Sequence, residues 1–239
     1  MRKFIFALMC VFAFCSCSLF DAISYADEIN DGTDPSFDQY PGMNANTDPL
    51  TGIEFTMPDG IVLTDVVVGQ QNQRDEENQD SELEVKDDMY GSGLCVIVTL
   101  KLENTQNKKD TLYLPAGLML QAASSSYQNG ILAKRVRIAF KAYEKRTVSV
   151  RFYCLNTAAH ASDADATYTL GPVTNNKAFD PLFNVCVGKK INISQYKSIN
   201  ILSYYGAATT VQQIVWAITQ GKTFTEKDIK KYLKHVKND

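Results

Sequence analysis

The sequence predicts a mainly β chain with α-helices: an Ig-like antiparallel β-sandwich over residues 51–193, capped by a helical segment over 194–239. Three observations carry this expectation. Short apolar runs alternate with polar residues and are bounded by turn residues, the period-2 signature of half-buried strands. After residue 193 the period changes to that of amphipathic helices. The composition is that of an ordinary globular chain, with 239 residues, 45% hydrophobic, 21% charged and a formal net charge of −3. That balance excludes a disordered, collagenous or polytopic membrane chain. It also lacks the basic footprint that nucleic-acid binding requires, so no nucleic acid is expected as a partner.

At the N-terminus Arg2 and Lys3 precede an apolar stretch over residues 4–14. It is shorter than the roughly 20 residues a spanning helix needs and has the form of a secretory signal peptide, expected over residues 1–16. Phe14-Cys15-Ser16-Cys17 follows. A small residue directly before a cysteine resembles the lipobox of bacterial lipoproteins. The resemblance implies a lipid on Cys17 and a chain held at the cell envelope by that lipid, at the outer membrane in the simplest case. Cys15 follows the bulky Phe14 and matches less well. Plain signal-peptidase cleavage nearby is the alternative.

Residues 17–50 are polar and turn-rich, with Asp34-Pro35, Pro41-Gly42 and Asp48-Pro49, and read as a tether or as an arm lying on the domain. Their acidic residues lack EF-hand spacing, so no calcium is expected. Strands are expected at 53–55, 61–68, 94–102, 111–120, 131–140 and 147–155. The last alternates cleanly, with Val148, Val150, Phe152 and Cys154 on one face. Asn129-Gly130 reads as a type I′ hairpin turn. The acidic stretch 70–88, rich in Asp and Glu from Asp75 to Asp88, reads as a long solvated loop. In the tail a helix over 194–205 is expected to stop at Gly206. Thr209 or Thr210 caps a second one that carries Val211, Ile214, Val215 and Ile218 on one face, with Gly221 as its C′ stop. Thr225 and Asp228 form a capping box for the last helix, with Phe224 stapled to Ile229 and its lysines facing water or an acidic partner.

Export implies an oxidising compartment. Cys10, Cys15 and Cys17 belong to the signal and anchor, which leaves Cys95, Cys154 and Cys186 in the folded part. An odd count allows one intramolecular disulfide. Cys154 with Cys186 is the expected pair, worth about 2–4 kcal/mol. Cys95, in a very apolar strand, is then a buried free thiol.

Chemistry is sparse. His160 and His235 are the only imidazoles, and neither accompanies a nucleophile-elbow sequence. Phosphate-loop, CxxC and HExxH patterns are missing. His160 with Asp163 and Asp165 makes at most a weak metal set, and a lone loop histidine is read as exposed. No catalytic residue, cofactor or metal is therefore expected. The sharpest constellation is Tyr153-Cys154 with Val211-Gln212-Gln213-Ile214-Val215-Trp216. The second run resembles the Thr-Gln-x-Ala-Ile/Val-Trp motif of bacterial surface thioester domains, with Val211 and Ile214 departing from it. The resemblance implies a thioester between Cys154 sulfur and the Gln212 acyl carbon, an electrophile for amines on a host or partner surface. A thioester and a disulfide on Cys154 exclude each other.

The chain is thus expected to be an exported, lipid-anchored surface or periplasmic module that acts without catalysis. Its partners would be the membrane, through the lipid, and an envelope or host-surface protein or glycan. The acidic stretch 70–88 and loop aromatics such as Tyr127 are the candidate contacts. A glycan site predicts an aromatic in a shallow groove, and a protein site predicts a larger apolar patch. The alternative is a covalent adhesin using Cys154 and Gln212.

Overall fold

The computed structural model describes residues 25–71, 85–196 and 201–239. The signal segment, Cys17 and the acidic residues from Asp75 to Glu84 lie outside the described residues. The described chain is mainly β with helices, as expected, but its strands do not form an Ig-like sandwich. Six antiparallel strands close into a barrel in the order β4 (Val96–Asn104), β2 (Val67–Gln70), β10 (Thr167–Val173), β6 (Leu118–Ala122), β7 (Gly130–Ile131) and β9 (Lys145–Cys154). The closing seam pairs β4 with β9 from Val96↔Phe152 to Glu103↔Lys145. Alternation on one face is identical for a sandwich and a barrel. The β4–β9 pairing decides between them, and it removes two sheet edges.

Four further strands lie outside this ring. β1 (Ile61–Leu63) pairs with the C-terminal end of β4, and β3 (Met89–Gly91) runs parallel to the middle of β9. β5 (Asp110–Leu114) and β8 (Val136–Phe140) form a separate two-stranded ribbon. Leu112, Leu114, Val136, Ile138 and Phe140 of the ribbon share one apolar cluster with Val98 and Leu100 of β4, Val148, Val150, Phe152 and Cys154 of β9, and Leu120 of β6. The face expected for β9 is the face that is buried there.

Several expected runs divide. The stretches 61–68, 111–120 and 131–140 each become two strands, because the chain passes between barrel and ribbon or changes partner within them. Asn129-Gly130 is not a hairpin turn. Gly130 opens β7, and a Cβ there would lie 2.7 Å from Phe152 Cβ, so glycine allows close approach of two strands. Asn129 instead accepts from Ala122 N–H at 2.8 Å and donates to Gly42 O at 2.8 Å, stitching β6 to the N-terminal arm.

That arm is an ordered layer over residues 25–50, not a loose tether. Helix α1 (Ala26–Asn30), Met43 and Leu50 enter the second apolar cluster, where Ile29 is fully buried. Asn44 N–H donates to Leu155 O, and Asn44 Nδ2 donates to Phe37 O at 2.9 Å. The same cluster holds α2 (Asp180–Cys186), α3 (Ile201–Thr219) and α4 (Glu226–Tyr232) against Met119, Ile131, Tyr153 and Leu155 on the outside of the barrel.

Helix α3 is one element, not two. It runs through Gly206, whose carbonyl also accepts from Thr210 Oγ1 at 3.0 Å. Glycine inside a helix costs about 1 kcal/mol, and burial of α3 on nearly every side offsets it. Thr209 and Thr210 are therefore interior residues and not caps. Gly221 does end the helix, at φ +88°, with Lys222 N–H on Ala217 O and Gly221 N–H on Ile218 O, a Schellman motif. The Thr225–Asp228 capping box is present on α4. Of its lysines, Lys231 meets Glu28 of the arm and Lys230 meets Glu226. Among the described residues no helix is long and apolar enough to cross a membrane.

Candidate functional site

The start of β4 and the end of β9 meet at one end of the barrel. Pairing of β9 with β4 stops at Val96↔Phe152, so among the described residues no strand flanks the outer edge of β9 beside Cys154. Its inner neighbour there is Gly130 of β7. Helix α3 fills the gap. Gln212 Oε1 accepts from Cys154 N–H at 2.9 Å, and Gln212 Nε2 donates to Cys154 O at 2.9 Å. One side-chain amide thus does the work of the missing strand's peptide group for a residue 58 positions away. One helical turn on, Trp216 packs against the barrel cluster. The structure therefore brings together Cys154 and Gln212, the two residues of the thioester resemblance. The grip is on the main chain of Cys154, while its side chain lies in the barrel cluster.

The expected Cys154–Cys186 disulfide is corrected. Successive β residues point to opposite faces. Cys154 lies in the barrel cluster, whereas Cys186 lies in the helical cluster with Tyr153 and Leu155, the residues on either side of Cys154. The wall of β9 separates the two sulfurs, and all three thiols of the described chain are free. Burial pushes the Cys186 thiol up to about 12.

The thiol that Cys154 does meet is Cys95. Cys95 packs against the same barrel cluster that holds Cys154, and the contact between the two thiols bears on both. The contact with Cys154, opposed by burial and helped by the Arg151 guanidinium, holds Cys95 below the usual thiol range. Burial first, and the contact with Cys95 second, push Cys154 well above it. Cys154 is fully buried. Cys95 is half-buried and lines a cleft of about 580 Å³ together with Gln71, Leu94, Tyr127, His160, Ser162 and Asp163. Cys95 is the free thiol expected, but it is only half-buried, because it sits at the open end of the apolar strand that follows it.

The loop between β9 and β10 builds the rest of the cleft. Ser162 accepts from Ile97 N–H at 2.8 Å and donates to Gln70 O at 2.8 Å, which ties the loop to β4 and β2. Asp163 accepts from Asp165 N–H at 2.9 Å, an Asx-type turn. It also accepts from the Tyr127 hydroxyl at 3.2 Å, and that bond raises the Tyr127 pKa. Tyr127 pairs by a β-bridge with His160, which is exposed. The hydroxyl of Tyr168 is buried behind them without a hydrogen-bond partner among the described residues. Tyr127 also lines a second cleft of about 370 Å³, together with Asn46, Thr47, Gln121, Asn129 and Asn156. Tyr127 thus stands in both clefts.

Among the described residues no three His, Cys, Asp or Glu side chains are placed to hold a metal ion. Asp163 serves its own turn and Tyr127, and His235 lies elsewhere, beside Thr210 on α3. The arrangement offers two chemistries: an aromatic face with polar walls for a small polar ligand, and a thiol, Cys95, in the wall of one cleft with a buried thiol behind it. Comparison with protein-family models, with curated proteins and with solved structures gives no match.

Proposed function

We propose that the chain is an exported, lipid-anchored envelope protein that acts without catalysis, binding a carbohydrate-like polar ligand across Tyr127. The carrying observation is that this tyrosine lines two polar clefts at one end of a closed barrel. A sugar ring presents an apolar face to an aromatic ring and hydroxyls to surrounding polar groups, which is the pattern of pocket this rim offers. Binding sites of this kind sit on loops held by a rigid scaffold. The barrel is that scaffold, because its interior is filled by side chains. Titration with chitotriose, maltotriose, mannotriose and a heparin-derived tetrasaccharide, followed by calorimetry, tests the reading. One of them binds and Tyr127→Ala weakens it at least about tenfold, or about 1.4 kcal/mol; no binding by any of them sinks it. Metabolic labelling with an alkyne fatty acid tests the anchor, and the label disappears in Cys17→Ala.

The Gln212–Cys154 contact supports a second reading, a covalent adhesin. In it Cys154 sulfur attacks the Gln212 acyl carbon and ammonia leaves. Its signature is an intact mass short of one ammonia, with methylamine adding to Gln212.

A further inference from the structure

Cys95 in the cleft wall and Cys154 behind it are unequal in a way that suits exchange chemistry. Cys95 faces the cleft and Cys154 is sealed behind it. The two sit at the ends of paired strands, just beyond the last Val96↔Phe152 pair. Among the described residues no other thiol competes for Cys154, because Cys186 lies across the wall of β9. Gln212 holds the main chain at Cys154 in place while its side chain lies in the barrel cluster that Cys95 packs against.

We propose that Cys95 and Cys154 form a reversible dithiol–disulfide pair beneath the Tyr127 cleft, oxidised by exchange with a small disulfide that enters the cleft. The Cys95 thiolate attacks one sulfur of the incoming disulfide. A mixed disulfide on Cys95 forms, and the first thiol of the donor leaves, taking the proton that Cys95 gave up. The Cys154 thiolate then attacks the Cys95 sulfur, the mixed bond breaks, and the second thiol of the donor departs with the remaining proton. The protein loses two hydrogens and the donor disulfide becomes two thiols. Cys95 attacks because it is accessible and lies nearer its thiolate form, in the field of Arg151. Cys154 resolves, because it is fully buried and cannot meet the donor directly. This is distinct from ligand binding at Tyr127, and each stands or falls by its own readout.

The test incubates the purified full chain with oxidised glutathione, quenches in acid, alkylates and maps the unreduced tryptic peptides. Trypsin places Cys95, Cys154 and Cys186 on separate peptides, 87–101, 152–177 and 178–189, apart from Cys10, Cys15 and Cys17 on 4–74. The expected product is lighter by two hydrogens, joins 87–101 to 152–177, and returns to the starting mass with dithiothreitol. Cys186→Ser leaves the reaction intact, and Cys154→Ser stops it at a glutathione adduct on Cys95. A crosslink through Cys186, free alkylation of both Cys95 and Cys154 after oxidant, or loss of ammonia at Gln212 each overturns the proposal. The wild-type map decides even where a variant fails to fold.

Discussion

Gln212→Ala removes the amide that completes the hydrogen bonding of β9. Two bonds of 2.9 Å disappear, and the N–H and C=O of Cys154 stay buried under α3. A net of about 1 kcal/mol per bond, plus desolvation of the two orphaned groups, gives a loss of about 2–4 kcal/mol. For a chain of this size that corresponds to a melting temperature lower by roughly 5–15 °C. Urea unfolding should show a lower midpoint with an unchanged m-value. The same substitution in a Cys154→Ala background should cost the same, because Gln212 grips main chain and not sulfur. Gln212→Glu adds a pH signature. A carboxylate cannot donate to Cys154 O, and burial raises its folded pKa above the ordinary carboxyl value of about 4.3. The variant's stability is therefore retained below that value and lost as pH rises through the raised one. A Gln212→Ala change within about 0.5 kcal/mol of wild type would refute the reasoning, since it would mean that Cys154 is satisfied by other partners.

Gly130→Ala places a Cβ at 2.7 Å from Phe152 Cβ. It should cost about 1–3 kcal/mol by overpacking, read as a lowered thermal midpoint. Thr225→Ala should cost about 1 kcal/mol in urea unfolding through the lost cap on α4. Thr225 also holds the Asp228 carboxyl below its usual range, through its side-chain hydrogen bond first and its backbone bond second. That contribution is present above the unfolded carboxyl pKa and fades as acid takes the pH through the depressed folded one, so the variant should show a flatter acid slope. On the alkaline side, burial raises Cys186 to about 12. The native state then keeps a proton that the unfolded chain releases. Stability should be full below the ordinary thiol pKa and fall from there toward about 12, and Cys186→Ala should flatten that fall in unfolding measured over about pH 8–11.

Much of the local structure was legible. The β9 face, the α4 capping box and the Gly221 stop each depend on residues within a few positions of one another, and each is present. The failures share a cause. Asn129-Gly130 has turn chemistry, yet Gly130 answers to a strand that comes later in the chain. Gly206 looks like a stop, yet α3 is buried so completely that packing outweighs propensity. Strand β10 carries weak alternation because it is only partly buried, and it was missed although it is a stave of the barrel. At the site, Tyr127 and the Cys154–Gln212 pair could be singled out beforehand, while Ser162 and the nearness of Cys95 to Cys154 left no trace in local pattern.

What the sequence by itself determined is a mainly β body with a helical tail, the inward face of its longest strands, and the two ends of its last helices. Period, caps and turn residues are local, and the energies that favour them act within a few residues. Only the tertiary structure decided that the sheet closes, that Cys154 faces Cys95 and not Cys186, and that a glutamine stands in for a strand. These follow from which distant strands share a seam. Pairing partners are selected by the packing of the whole core, which alternation along any one strand does not encode.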